Sequence, residues 1–511
     1  MRIAAIAART VRWPIAGTGA ARGRSERAAV VVEVRSDRGA VGLGEAAPLP
    51  GMSPDTLDDA EQAIAVFARL TGVELADREA ARLLVAATTA PPAARFALET
   101  ALFDALAREH GISLAALLRA PGRGPGTATG PGDSHVGVDP SFSARASGNP
   151  DLHRAHVGIE PQVPTRTSGR LAMGDPHAGA HPPFWAARSG HSDLPAAHVG
   201  ADPPVPAPTA RILGTTSPHV GAAALPATAP HGAAHPPFWA ARSGHSDLAA
   251  AHVGAAPPVP APTAGILGTT DPHVGAVPCV PLAAVVDDPD QARSAYASGI
   301  RCFKIKIGAA DPLDRVRAIA AAAPGGTLRI DANRSWPRSE VLERLAALAA
   351  LPVEYVEEPC RDAHRLLAGP LPCPLALDES LVELSADELT AALRSPALAA
   401  VILKPALLGG LSACLALAAQ ARAFRVAAVA SHTLEGPIGT AACAELALAL
   451  ALTAREPPGP AAGLAPHPAL ASWRLTVAQL AADHVHPAAE PGLGFVDLDL
   501  AGALRAVEPA R

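Results

Sequence analysis

Lys306, Asp331, Glu357, Asp378, Lys404 and Ser431 each end a short apolar run: CFKIKIG, TLRIDANR, VEYVEEP, LALDES, AVILKP and VAAVASH. Successive members stand 25, 26, 21, 26 and 27 positions apart. Three carboxylates offered side by side make a hard oxygen site. Mg²⁺ is its natural occupant, because it takes few protein carboxylates and keeps positions for water or substrate. Such an ion can bind a substrate carboxylate and hold the charge that develops when the adjacent carbon loses its proton. Lys306 before the triad and Lys404 after it would then face each other across the ion. A lysine near a metal and another ammonium has its neutral form favoured, which suits it to act as a base. The substrate expected is a small-molecule carboxylate. The plainer alternative is a set of structural salt bridges, and the order Lys, Asp, Glu, Asp, Lys at near-constant spacing weighs against it.

Such spacing is the length of one strand, one helix and two short loops. Apolar runs alternating with helical segments imply a parallel sheet buried on both faces. The expected fold is α/β, a (β/α)7-8 TIM-type barrel, with its chemistry at the C-terminal ends of the strands. Lys304, two residues before Lys306, points the same way into the mouth. The first barrel strand is expected over 280–286, its helix over 287–298, and an eighth strand near 461–465. Gly409-Gly410 heads a helix and could let the backbone approach a substrate carboxylate, or it is a turn needing positive φ. Ser431 and the N–H groups that follow it could hold a second carboxylate. His432 reads either as a polar contact or as a hydrogen-bonded structural residue. Lys304, Asn333, Ser431 and Gly409 are thus the candidate substrate-binding residues.

The rest of the 511-residue chain divides by composition. Residues 1–120 read as an α+β unit, with a hairpin turning at Ser36-Asp37-Arg38-Gly39, a helix capped by Ser53, and another over 93–109 with a one-sided apolar face. The stretch from Pro14 to Arg24, with Gly17, Gly19 and Gly23, reads as a lid or an ordinary loop. Residues 121–278 are rich in Pro, Gly, Ala and His and repeat themselves: His181 to Ala222 returns as His235 to Ala276 with four differences. Near-identical copies with little apolar content imply a disordered insertion. It holds 13 of the 19 histidines, which duplication explains better than metal capture. Residues 279–490 are expected to form the barrel, with 491–511 as a separate C-terminal segment. A net charge of −6 gives no reason to expect nucleic acid or an anionic membrane as partner, and the six scattered cysteines suggest neither zinc nor disulfides. The N-terminus lacks a continuous apolar core, so a cytoplasmic location is expected, and the oligomeric state is left open.

Lys304-Ile-Lys306, Asp331-Ala-Asn333-Arg334-Ser335-Trp336, Val356-Glu357-Glu358-Pro359, Leu377-Asp378-Glu379-Ser380 and Leu403-Lys404-Pro405 resemble the muconate-lactonizing branch of the enolase superfamily. Within that branch they most resemble the o-succinylbenzoate synthase family. The resemblance implies that Lys306 is the base and Lys404 the opposite lysine. It implies Asp331, Glu357 and Asp378 as Mg²⁺ ligands, with Glu358 and Glu379 as their neighbours. It also implies a capping domain at the N-terminus, of which Gly42-Leu43-Gly44-Glu45 is typical, and a return to it at 492–499. The implied reaction is dehydration of 2-succinyl-6-hydroxy-2,4-cyclohexadiene-1-carboxylate to 2-succinylbenzoate in menaquinone biosynthesis. His432 is a departure, since the synthases often carry Ser-Ser there. A dipeptide or N-acylamino acid epimerase of the same superfamily is the alternative. Gly463-Leu464-Ala465-Pro466 lacks the Asp-x-Asp of dipeptide epimerases, and Arg334-Ser335-Trp336 also favours a synthase. A noncatalytic scaffold displaying the repeat would be expected to have lost some of the five charged positions, and all are filled.

Overall fold

The computed structural model describes residues 1–15, 25–120, 279–310, 313–451 and 459–507. The lid reading over 16–24 and the insertion reading over 121–278 lie outside the described residues. The N-terminal part begins with three antiparallel strands, β1 (Ile3–Pro14), β2 (Glu26–Ser36) and β3 (Val41–Ala46), in the order β1-β2-β3. β1 is not legible as a strand in the sequence, because its alanines blur the alternation. Helices α1 (Leu57–Phe67), α2 (Arg78–Ala86), α3 (Pro92–Glu109) and α4 (Leu114–Arg119) follow. The first of these is capped not by Ser53 but by Thr56, in a capping box with Asp59. The Ser53 hydroxyl instead accepts from the Leu49 N–H at 2.7 Å.

α3 packs on β3 at a distance only glycine permits: a Cβ on Gly42 would lie 2.0 Å from the Ala101 carbonyl oxygen, and one on Gly44 1.9 Å from that of Ala97. The helix is buried from Ala93 to Ala107 with the exception of Arg95. The one-sided face expected for it is therefore wrong: with the small sheet on one flank and the barrel on the other, almost no side is left for water.

The barrel opens with β4 (Val280–Pro281) and β5 (Ala283–Val285), so the strand expected over 280–286 is broken in two. Then come α5 (Pro289–Ala297), β6 (Cys302–Lys306), α6 (Leu313–Ala322), β7 (Thr327–Asp331), α7 (Val341–Leu348), β8 (Val353–Glu357), β9 (Leu375–Leu377), α8 (Ala386–Arg394) and β10 (Leu398–Leu403). α9 (Pro405–Leu408), α10 (Leu411–Ala423), β11 (Ala427–Ala430) and α11 (Pro437–Ala451) continue it, and β12 (His484–Val485) and α12 (Leu500–Arg505) end the chain. Between β8 and β9, where the spacing is shortest, only a 3₁₀ turn over Ala363–Ala368 is built. Pro359, Pro370, Pro372 and Pro374 leave no room there for a helix.

β5 to β11 form one parallel seven-stranded sheet in sequence order, while β12 pairs antiparallel with β4. The eighth position of the ring is only a pair of bridges: Ala462 to Leu282 beside the first edge, and Gly463 to Ser431 beyond the other. The Ala462 N–H reaches the Pro281 carbonyl at 2.7 Å and the Gly463 N–H that of Ala430 at 2.9 Å, which joins the two edges. Inside the ring, Tyr355, Ala376, Ala400, Ile402 and Val429 form their own cluster. Val356, Leu377, Val401 and Leu403 join the main core, which runs without interruption into the N-terminal domain. No helix among the described residues is long and apolar enough to cross a membrane.

Candidate active site

Strand periodicity places the charged residues. Side chains two apart share a face, so Glu357 shares the inward face of Tyr355, Asp378 that of Ala376, Lys404 that of Ile402 and Ser431 that of Val429. Register does the rest, because Lys306, Asp331 and Glu357 are direct partners across β6, β7 and β8. In the ring of eight, β6 and β10 lie four places apart, so Lys306 and Lys404 come from opposite walls.

Lys304 Nζ sits between two carboxylates, 3.0 Å from Asp331 Oδ2 and 2.7 and 2.9 Å from the Glu357 oxygens. Lys306 Nζ stands further off, 3.9 Å from Asp331 Oδ2. Lys404 is paired with Asp378. Asp331, Glu357, Asp378 and Lys404 are all buried, while the Lys306 side chain keeps 31% of its surface exposed.

Burial and charge divide these groups. Burial lowers the pKa of Lys306, Lys304 and Lys404 lower it further, and Asp331 only partly opposes them. For Lys404, burial works against the charge, but Asp378, Glu357 and Glu379 outweigh it and the pKa is raised. Lys304 is likewise raised against its burial, by Asp331, Glu357 and Asp378. Asp331 falls to about 2, since three lysines overcome its burial. Glu357 rises to about 7 through burial and the neighbouring Asp331. Asp378 is raised by burial. One lysine thus leans toward the neutral form while its counterpart across the ring stays charged, the division a base and an electrostatic partner require.

A cavity of about 380 Å³ opens on these residues. Lys304, Lys306, Asp331, Asn333, Glu357, Lys404 and Ser431 line it, and Leu49, Pro50 and Met52 of the N-terminal domain cover it. The Asn333 N–H donates to Asp331 Oδ1 at 3.0 Å, and the Ser431 hydroxyl to the Gly463 carbonyl at 3.3 Å. Gly409 is a correction: it is not on the cavity wall. With φ 85° it ends α9, facing Arg95 and Pro92, which is the turn requirement and not an approach to substrate. Asp378 is not on the wall either and turns its carboxylate to Lys404.

One wall residue, His467, had no clear signal in the sequence, and it packs on one that did. His467 stacks on His432 with ring centroids 4.0 Å apart. His432 Nδ1 accepts from the Leu434 N–H at 3.0 Å, so its remaining proton is on Nε2. Burial holds both imidazoles neutral, His432 well below the usual range and His467 at about 3. His467 follows the eighth-strand position, where neither period nor composition singles it out.

The donor set suits a hard divalent cation: three carboxylates, two of them already turned onto one cationic nitrogen. The lysine ammonium groups hold the oxygens that such an ion would take. No group of three or more His, Cys, Asp or Glu side chains among the described residues is gathered as a metal cluster.

Residues 3–119 match the family model "Mandelate racemase / muconate lactonizing enzyme, N-terminal domain", and residues 287–499 match "Enolase C-terminal domain-like". The chain belongs to the enolase superfamily, in its muconate-lactonizing branch. Among curated proteins it is similar to the o-succinylbenzoate synthase of Mycobacterium tuberculosis, at 36% identity over 160 residues, 30% of this chain and 47% of that protein. It is also similar to the o-succinylbenzoate synthase of Mycobacterium leprae, at 36% over 152 residues, 28% of this chain and 43% of the other. The chain thus spans about half the length of the curated relatives it matches. Among solved structures, muconate lactonizing enzyme from Pseudomonas putida superposes with a TM-score of 0.57 at 17% identity, covering 99% of this chain and 100% of that one. The L-Ala-D/L-Glu epimerase from Bacillus subtilis gives 0.57 at 17%, covering 97% and 98%. At such identity these two establish the fold, a barrel with an N-terminal domain.

Proposed function

We propose that this protein is an o-succinylbenzoate synthase, a lyase that dehydrates 2-succinyl-6-hydroxy-2,4-cyclohexadiene-1-carboxylate to 2-succinylbenzoate in menaquinone biosynthesis, with Mg²⁺ as cofactor and the cytoplasm as its location. The observation that carries the reading is one cavity with Lys306 and Lys404 on opposite walls, Asp331 and Glu357 between them, and no carboxylate at the eighth position, where Gly463, Ala465 and Pro466 line the wall. An epimerase acting on a free dipeptide amine would call for an acidic group there. The curated relatives carry the synthase name.

Lys306 Nζ, held toward its neutral form, takes the proton from the ring carbon that bears the carboxylate. Asp331, Glu357 and Asp378 would hold a divalent cation, which would supply positive charge to offset the negative charge that gathers on the substrate carboxylate as the proton leaves. Charged Lys404 answers the same charge from the opposite wall. The C–O bond to the hydroxyl then breaks, Lys306 returns its proton to the departing oxygen, water is released and the ring becomes aromatic. Lys304 fixes the orientation of Asp331 and Glu357, and Leu49, Pro50 and Met52 line the cavity from the N-terminal domain. Ser431, on the cavity wall, would bind the succinyl carboxylate.

The test is to assay the purified full-length chain with Mg²⁺ against the cyclohexadiene substrate and against a dipeptide panel. Formation of 2-succinylbenzoate is the expected result. Epimerisation of dipeptides without dehydration would replace this reading with the epimerase.

A further inference from the structure

Behind the carboxylates, one set of side chains is not used by the reaction above. Glu358 is fully buried and accepts from the Asp378 N–H at 2.9 Å, the Ser380 N–H and hydroxyl at 2.8 Å each, and Arg334 Nε–H at 3.1 Å. Arg334 also donates to Ser380 Oγ at 3.0 Å and to both oxygens of Glu383 at 2.6 and 2.9 Å. On the main chain, the Arg334 N–H reaches the Glu358 carbonyl at 2.7 Å. One carboxylate and one guanidinium therefore join the three loops that follow the strands bearing Asp331, Glu357 and Asp378. The first two loops are held in the left-handed region, at Asn333 (φ 44°), Arg334 (φ 60°) and Glu358 (φ 41°). Non-glycine residues persist there when their surroundings over-determine the backbone.

We propose that Arg334, Glu358 and Ser380 form a clasp that sets where Asp331, Glu357 and Asp378 present their oxygens, and thereby sets the affinity of the site for a divalent cation. These three are positioning residues. The proposal rests on the reading of the carboxylates as cation ligands. It also accounts for Arg334, since the side chain that sets the Asp-Ala-Asn-Arg motif apart from the epimerase pattern binds the loops of all three acids. A clasp of this kind acts on ligand geometry, since partners behind a ligand are worth roughly 10- to 100-fold in metal affinity.

Full-length wild type, Glu358→Gln, Ser380→Ala and Glu383→Gln proteins would be titrated with MgCl₂ after chelation, reading both melting temperature and calorimetric heat. Glu358→Gln should raise the Mg²⁺ midpoint about 10- to 100-fold, and Ser380→Ala a few-fold. Glu383→Gln, at the exposed end, should shift it less than about twofold. A merely structural clasp would lower the melting temperature in chelator and leave the midpoints unchanged, which overturns the proposal. Should Glu358→Gln fail to fold, Ser380→Ala decides alone, and an unchanged midpoint there has the same meaning. A wild type without any Mg²⁺ response sinks the cation reading and the clasp with it, and is told apart because no variant is needed to see it.

Discussion

Asp331, Glu357 and Asp378 at the strand ends, and Glu45, Glu99, Asp104 and Glu445 between the N-terminal domain and the barrel, are all removed from water. Most of their partners differ in kind. The seam acids accept from backbone N–H groups: Glu45 from Gly436 and Gly439 at the start of α11, Glu99 from Ser412 at the start of α10, and Glu445 from Ala115 at the start of α4. Asp104 takes the N–H groups of Leu43 and Leu493, tying the C-terminal return to α3, and also pairs with the Arg108 guanidinium at 3.0 Å. Three of the four cap a helix across the domain boundary, where partial positive charge is available. The three rim acids meet whole ammonium charges instead, and Asp331 and Glu357 line the cavity as well. Burial raises Glu45 to about 7 as it does Glu357, so a displaced pKa does not separate the two regions. What separates them is convergence: several acids and lysines gathered on one open volume make a reactive site, whereas acids spaced singly along the seam, each held mainly by N–H donors, make a joint.

Lys306→Ala puts this contrast under the greatest strain, and it should lower kcat/KM for the dehydration by about 10²- to 10⁴-fold while the melting temperature changes little. A variant dehydrating at near the wild-type rate would remove Lys306 from the chemistry. Next in size is the pH profile. Lys306 must be neutral to take a proton, so kcat/KM should rise with pH and level off at an apparent pKa below the ordinary 10.5, because burial lowers it. A limb at or above 10.5 would contradict that.

At the seam, Glu45→Ala strands two buried N–H groups and should cost about 1–3 kcal/mol in urea unfolding, with kcat of the folded protein nearly unchanged. A large kcat loss at full stability would make Glu45 part of the site. The sign with pH follows from its pKa, raised from 4.5 to about 7 on folding. Its proton-linked contribution is fully present below 4.5 and is lost as pH rises through 7, so Glu45→Gln should flatten the fall in stability across that window. The smallest effect is expected from the insertion, which we propose is a separate segment. Replacing residues 121–278 by a short linker should leave kcat and melting temperature nearly as they were. Substantial loss of either would make the repeat part of the fold.

Counting along the chain is enough to order the barrel strands and to say which residues stand at their ends. A βα unit has a nearly constant length, and alternation within a strand assigns each side chain to a face, so Lys306, Asp331, Glu357, Asp378, Lys404 and Ser431 line up without any coordinates. Which oxygen meets which ammonium emerges only in the folded barrel: Lys304, and not Lys306, sits closest to Asp331 and Glu357. Folding also places Gly409 against α3, brings His467 onto His432, and joins Glu45 to Gly436. Those contacts link residues far apart in the chain, and local periodicity carries no information about which distant surfaces burial will press together.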